Sequence, residues 1–463
     1  MSRKFLVLSA LALGLIVPAS AKVYTRDEAV KTAMENSADI KTAEESVIQA
    51  TSQVEGGYGA AYPSIDLNAN VTRIFGLDDV KMGSPMASAA GDSSMGANKF
   101  DKDVVAPALD NIINGMSAQR YRWQSNIGLQ LTQTLYAQGK IGTGVAIAKA
   151  YKLGEEINLE NTKIAVRYNV ETAFDELIVL DSTISITEES IKLTEAHLET
   201  AKQSYQSGMG TELDQIRAEL ALDQLKSSYE STKKQRIIAR NKLLNTMGLD
   251  WESDVEFTGE LRNPESNPPY PDTAIASVLS RRKELAMLKT QEDMATRKIE
   301  IEEADYKPLV ALIGKIGYTN NQNEFYKWDA PKWSKLNKTI TLNLSMNLFK
   351  GFQTRESVTQ AKSVLRTLQI AKENTERGFR MQIEACANTL EDAQTQLELQ
   401  KRQIELATRN YDLTDAAYKI GHETQVNLLD ANLKLHQAKL GYMQAVLNWN
   451  KAYNALLQAT GEY

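Results

Sequence analysis

Four stretches of the chain alternate apolar and polar residues with a period of two. Ile65, Leu67, Ala69 and Val71 are interleaved with Asp66, Asn68, Asn70 and Thr72. Trp123, Ile127, Leu129, Leu131 and Leu135 share one parity, and Gln124, Asn126, Gln130, Thr132 and Thr134 the other. The pattern returns as Val310, Leu312, Gly314 and Ile316, and then as Ile340, Leu342, Leu344, Met346 and Leu348 opposite Thr341, Asn343, Ser345 and Asn347. This period predicts strands with one apolar and one polar face. Strands of about ten residues with apolar-out, polar-in alternation are what a membrane β-barrel requires; a soluble sandwich is the alternative. Tyr62, Tyr121, Trp123, Tyr318 and Phe349 near the strand ends suit an interfacial aromatic girdle.

Between these stretches the pattern is helical. From about Gly139 to Ser207, and from Gly351 to Ile420, there is no proline and little glycine, and at 1.5 Å per residue each run would reach about 100 Å. Four shorter helices are expected over Thr25 to Gly59, Glu212 to Met247, Asp272 to Asp305 and Gln425 to Ala459. Two short helices stacked end to end match one long one. Apolar positions such as Leu177, Leu180, Ile184 and Ile191, or Leu390, Leu397, Ile404 and Leu413, recur at threes, fours and sevens, a narrow seam for partner helices.

The two halves repeat one another. Tyr205-Gln-Ser-Gly208-Met-Gly-Thr211 returns as Tyr418-Lys-Ile-Gly421-His-Glu-Thr424, and the same shift of about 213 carries Leu129 onto Leu342, Asn241 onto Asn454 and Gly248 onto Gly461. Upstream, a shift of about 245 carries Ala29 onto Ala274 and Pro63 onto Pro308. The difference places one insertion between Phe75 and Arg120, rich in Gly, Ala, Ser, Asp and Met and expected as an extracellular loop, longer than its counterpart from Thr319 to Lys338. The expected organisation is a first repeat over 22–249, a linker over 250–271 that includes the Pro-rich Asn263 to Pro271, and a second repeat over 272–463.

Composition narrows the compartment and the chemistry. Arg3 and Lys4, the apolar run Phe5 to Val17 and Ala19-Ser-Ala21 have the form of a secretory signal over 1–21. About 13 apolar residues fall short of the roughly 20 that a membrane helix needs. The net charge of −6 leaves no basic footprint for nucleic acid. His197, His422 and His436 lack partners at ligand spacing, which argues against a metal or an acid-base enzyme site. Neither a phosphate loop nor a dinucleotide fingerprint is present, so no cofactor is expected. The single Cys386 cannot form an internal disulfide.

Each long helix is followed by Gly-x-x-Thr, in which Gly208 and Gly421 suit the left-handed residue that ends a helix and Thr211 and Thr424 suit the cap of the next. The result is a tight helical hairpin at the end far from the strands. Signal, two β-hairpins, two very long helices and paired Tyr-x-x-Gly-x-x-Thr tips together resemble the TolC family of outer-membrane efflux channels, over the whole mature chain. The resemblance implies a mixed α/β, mainly α membrane protein: a homotrimer whose twelve strands, four per chain, close one barrel in outer-membrane lipid, continued by an α-helical tunnel through the periplasm. Four strands alone would leave open edges that lipid does not tolerate, so some oligomer is required in any case.

The resemblance also implies roles for residues. The periplasmic aperture maps to Asp214, Tyr418, Glu423, Asn427 and Asp430, with Tyr418 hydrogen-bonded to Asp214 and an acidic pair narrowing the pore. Two positions depart from the pattern. Asn427 replaces the first acid of the pair, and Glu423 stands where the best-studied member has a base, so that it repels Asp214 instead of attracting it. A ring of three Asp430 carboxylates would still favour cations. Gly208, Thr211, Gly421 and Thr424 are the candidate docking points for a periplasmic adaptor, a membrane fusion protein, and through it an inner-membrane pump. The implied function is a passive exit duct for drugs, detergents, toxins or proteins, in efflux or type I secretion. The competing class is a secreted periplasmic coiled-coil rod or tether.

Overall fold

The computed structural model describes residues 22–75, 99–108, 122–262, 264, 273–322, 324–325 and 335–463. The expected signal sequence, most of the 75–120 insertion and most of the Pro-rich stretch lie outside these. The described chain forms two compact units, one of residues 53–148 and 296–362, the other of the remainder.

The first unit carries a four-stranded antiparallel sheet in the order β2-β3-β5-β6, made of β2 (Ser64–Arg73), β3 (Trp123–Tyr136), β5 (Leu309–Gln322) and β6 (Asn337–Ser345). Both expected hairpins are present, and β3 pairs with β5 to join them. The register sets Leu67 opposite Leu129, Leu129 opposite Ile316, and Leu312 opposite Leu342, so the apolar parities of all four strands share one face. Much of that face is exposed, Ile65 and Leu67 at 67% each and Ile340 at 83%, whereas Tyr318 and Ser125 on the same face are buried. Two details differ from the alternation. A bulge between Thr134 and Tyr136 leaves Leu135 without a cross-strand partner, and β6 ends at Ser345, before Met346 and Leu348.

The long helices are α3 (Lys140–Gln206) and α7 (Gln353–Lys419), each of 67 residues. They lead into α4 (Glu212–Thr246) and α8 (Gln425–Thr460). The two helices expected ahead of the hairpins are each broken. Thr25 caps α1 (Arg26–Asn36) through a reciprocal box with Glu28, and α2 (Ala38–Gly59) restarts after one extended residue, Ser37. Likewise α5 (Ile275–Arg281) and α6 (Lys283–Glu303) are separated by the extended Arg282. At each break one residue closes the first helix with its N–H and opens the next with its carbonyl: Ser37 N donates to Ala33 O and Lys41 N to Ser37 O. The same pattern links Arg282 to Val278 and Ala286.

The second unit holds the main core. A parallel pair of short strands, β1 (Lys22–Tyr24) and β4 (Val255–Phe257), packs Tyr24, Val255 and Phe257 against Phe174, Leu177, Leu243 and Met247. This places a strand inside the expected linker. Each large apolar side chain buried here contributes about 1.5–3 kcal/mol. Within the same core, Asp175 lies against Arg26. Burial outweighs the guanidinium and raises the Asp175 carboxyl to about 6. A second cluster packs Leu390 and Leu397 of α7 against Trp449, Tyr453 and Leu456 of α8.

Candidate functional site

The two helical tips lie in the second unit and close in the same way up to one residue. At the first, Gly208 has φ +79° and donates to Tyr205 O at 3.0 Å, while Met209 and Gly210 both donate to Ser204 O at 2.9 Å. At the second, Gly421 has φ +77° and donates to Tyr418 O at 3.0 Å, and His422 donates to Ala417 O at 2.9 Å. A Cβ on either glycine meets open space. Glycine is therefore required there for its left-handed backbone and not for room.

The caps differ because Asn427 stands where the first repeat has Asp214. Thr211 Oγ1 accepts from Asp214 N at 3.2 Å, and the Asp214 carboxylate accepts in return from Thr211 N at 3.3 Å and from its hydroxyl at 2.6 Å. Thr424 Oγ1 accepts from Asn427 N at 3.3 Å in the same manner. The Thr424 N–H, however, goes to the Glu423 carboxylate at 3.3 Å, which also accepts from Asn427 Nδ2 at 2.6 Å. Glu423 thus replaces the missing acid of the second box, a local task that its position outside the helix makes possible.

Of the expected aperture contacts, the Tyr418–Asp214 hydrogen bond is not formed. Asp214 is occupied by Thr211 and acts on Tyr418 only through its charge, which adds to burial in raising the phenol. Asp430 lies one turn beyond Asn427 and pairs with Lys434 at 2.7 Å. Lys434 was not among the residues singled out from the sequence; an acid followed four residues later by a base on one helix was the available signal.

What joins the two hairpins is polar and buried. Asn432 Nδ2 donates to Thr194 Oγ1 at 2.9 Å, Gln425 Nε2 to His197 O at 3.4 Å, and His197 Nε2 lies 3.2 Å from Tyr411 OH. Leu198, Ala218 and Leu222 pack with Leu429 beside them. Burial lowers both His197 and His436, and Asp415 only partly offsets this at His197. Around the turns, apolar side chains face outward: Met209 is 84% exposed and Ile420 71%, with Leu213, Ile216 and Val426 also exposed. Among the described residues no group of three His, Cys, Asp or Glu side chains is placed to hold a metal ion, and no helix is long and apolar enough to cross a membrane.

Known proteins share this architecture. The chain is 22% identical over 353 residues to the outer membrane efflux protein BepC of Brucella suis, covering 76% of this chain and 75% of BepC. It is 21% identical over 367 residues to the outer membrane protein TolC of Vibrio cholerae, covering 76% and 80%. The fold matches the Vibrio cholerae outer membrane protein VceC with a TM-score of 0.71 at 14% identity, covering 94% and 96% of the two chains. It matches the CmeC outer membrane channel of Campylobacter jejuni at 0.74 and 16%, covering 94% and 85%. The sequence pattern of the outer membrane efflux proteins fits residues 29–249 and again 274–462, the two stretches that each contain one β-hairpin and one helical tip, and the chain belongs to that outer-membrane family.

Proposed function

We propose that three copies of this chain assemble into one passive duct, with twelve strands closing a barrel in the outer membrane and the long helices continuing it through the periplasm. The observation that carries this reading is the sheet. Its apolar face is exposed along β2 and β6, and among the described residues each of these two strands pairs on one side only. Lipid satisfies the exposed side chains, and pairing β6 of one copy with β2 of the next satisfies the edges. The two halves, 22–249 and 272–463, then act as two similar wall segments per chain, joined through 250–271.

In this reading the tips gate the duct. Asp214, Tyr418, Glu423, Asn427 and Asp430 lie at the aperture, with Asp430 giving a cation preference that Lys434 offsets. Gly208, Thr211, Gly421 and Thr424 shape six turns in the trimer, whose exposed Met209 and Ile420 offer apolar surface to the hairpin ends of an adaptor. The adaptor and an inner-membrane pump supply the energy, for efflux or for type I secretion. The test is the purified full chain in detergent. A trimeric mass by native mass spectrometry and discrete conducting events in planar bilayers are expected. A soluble, non-conducting monomer overturns the reading and supports the rod or tether instead.

A further inference from the structure

Between α3, α4 and α8, close to the tips, lies a cavity of about 480 Å³, within the roughly 300–1,000 Å³ that small-molecule sites occupy. Its floor is polar and buried: Ser190 is 5% exposed and His436 6%. Neither Ser190 Oγ nor His436 Nδ1 has a hydrogen-bond partner, while the adjacent Asn432 and Thr194 satisfy one another. An unsatisfied buried polar group costs about 1–3 kcal/mol, so two of them lining one cavity call for an occupant.

The walls and mouth define its chemistry. Leu225, Leu429 and Leu433 line the cavity with apolar surface. Two charged side chains, Arg217 and Asp430, also line it. Asp430 is held by Lys434 one turn along the same helix, whereas exposed Arg217 has no ion-pair partner among the described residues. The unmatched charge at the opening is therefore positive. His436 is kept neutral at pH 7 by burial and adds no second cation to the floor.

We propose that this cavity is a binding site for a small organic anion with an aromatic or aliphatic body. Its acid group meets the Arg217 guanidinium, its apolar body lies against Leu225, Leu429 and Leu433, and a hydroxyl or carbonyl at its inner end satisfies Ser190 and His436. A charged, bidentate guanidinium contact and a dry apolar wall are complementary to a carboxylate on a ring. The site belongs to one chain, so it stands whether or not the assembled protein conducts.

The probe is 4-hydroxybenzoate, titrated into the detergent-solubilised full chain by calorimetry, with its neutral amide as the control. Saturable binding is expected, with the amide weaker. A hydrogen bond to a charged group is worth about 1.5–3 kcal/mol, so Arg217→Gln should weaken binding about tenfold or more. Arg217 is exposed, so this variant retains the fold; Ala221→Leu, which fills the wall, should abolish binding. No saturable binding, or binding unchanged in both variants, overturns the proposal and leaves the cavity to ordered water.

Discussion

Asp430 and Lys434 face one another across a single turn of α8, carboxylate to ammonium at 2.7 Å. Both side chains are more than half exposed, so the pair contributes about 1 kcal/mol or less to stability, and either residue can be changed without disturbing the fold. Its weight is electrostatic. In the proposed trimer each Asp430 would bring a neutralising base with it, which would weaken the cation preference proposed for the carboxylate ring. Reversal potentials across a planar bilayer under a salt gradient should show that preference reduced in Asp430→Asn and increased in Lys434→Gln. No change in either variant removes Asp430 from selectivity.

Gly248 and Gly461 end their halves alike, both with φ +70°, but in different surroundings. A Cβ on Gly248 would lie 2.4 Å from Asn36 O, at the break between α1 and α2; on Gly461 the nearest atom is Arg281 Cβ at 3.5 Å. Gly461→Ala should therefore cost only the left-handed backbone penalty of about 1–2 kcal/mol. Gly248→Ala must in addition push backbone away and should lower the melting temperature distinctly more. Equal losses in the two variants count against the close packing at the break.

Asp175 makes stability depend on pH with an unusual sign. Its folded value of about 6 exceeds the ordinary 3.8, so the native state retains a proton that the unfolded chain releases. The group's contribution is present below about pH 4 and is lost as pH rises through 6, a change on the order of 3 kcal/mol. Asp175→Asn keeps the neutral form at every pH. Whatever fixed cost follows from leaving Arg26 unpaired, melting curves should show this variant gaining on the parent protein between pH 4.5 and 7.5; a constant difference refutes the assignment.

His197 and His436 act in the opposite direction. Both are lowered by burial, so the stability they provide is present above their ordinary value of about 6.5 and is lost as pH falls below it. His197 faces Tyr411, Asp415 and Lys419, and His436 faces Lys439. Protonation therefore loosens the seam between α3, α7 and α8. Hydrogen exchange over residues 425–436, corrected for intrinsic rates, should be faster at pH 5.5 than at 7.5. The effect should flatten in the double variant His197→Gln, His436→Gln, and an undiminished effect there places the switch elsewhere.

The residues that announced themselves in the sequence are those whose conformation depends on chain neighbours. Alternation from Ile65 to Val71 and from Ile340 to Leu344 specified strands because side chains in a strand alternate faces. The proline-free runs became helices of 67 residues because nothing in them interrupts the ladder of hydrogen bonds. Gly208, Thr211, Gly421 and Thr424 closed the two tips because turn and cap bonds span only three to six residues. Membership of an outer-membrane efflux family was legible for the same reason, since strands, helices and tips recur in a fixed order.

Other features have their cause far along the chain. Neither Ser37 nor Arg282 is a glycine or proline. The helix breaks there beside Gly248 in one case, and in the other where the Arg282 guanidinium caps Gln458 O at 2.8 Å and Ala459 O at 3.2 Å. Val255–Phe257 is too short to show a period and became a strand only because Lys22–Tyr24 lies alongside it. Thr211 claims Asp214 before Tyr418 can, and Glu423 serves the cap that Asn427 cannot complete. Periodicity and propensity report what a residue does with its neighbours in sequence. Which of several polar partners it then takes is settled by packing, where buried groups must be paired and two atoms cannot share one place.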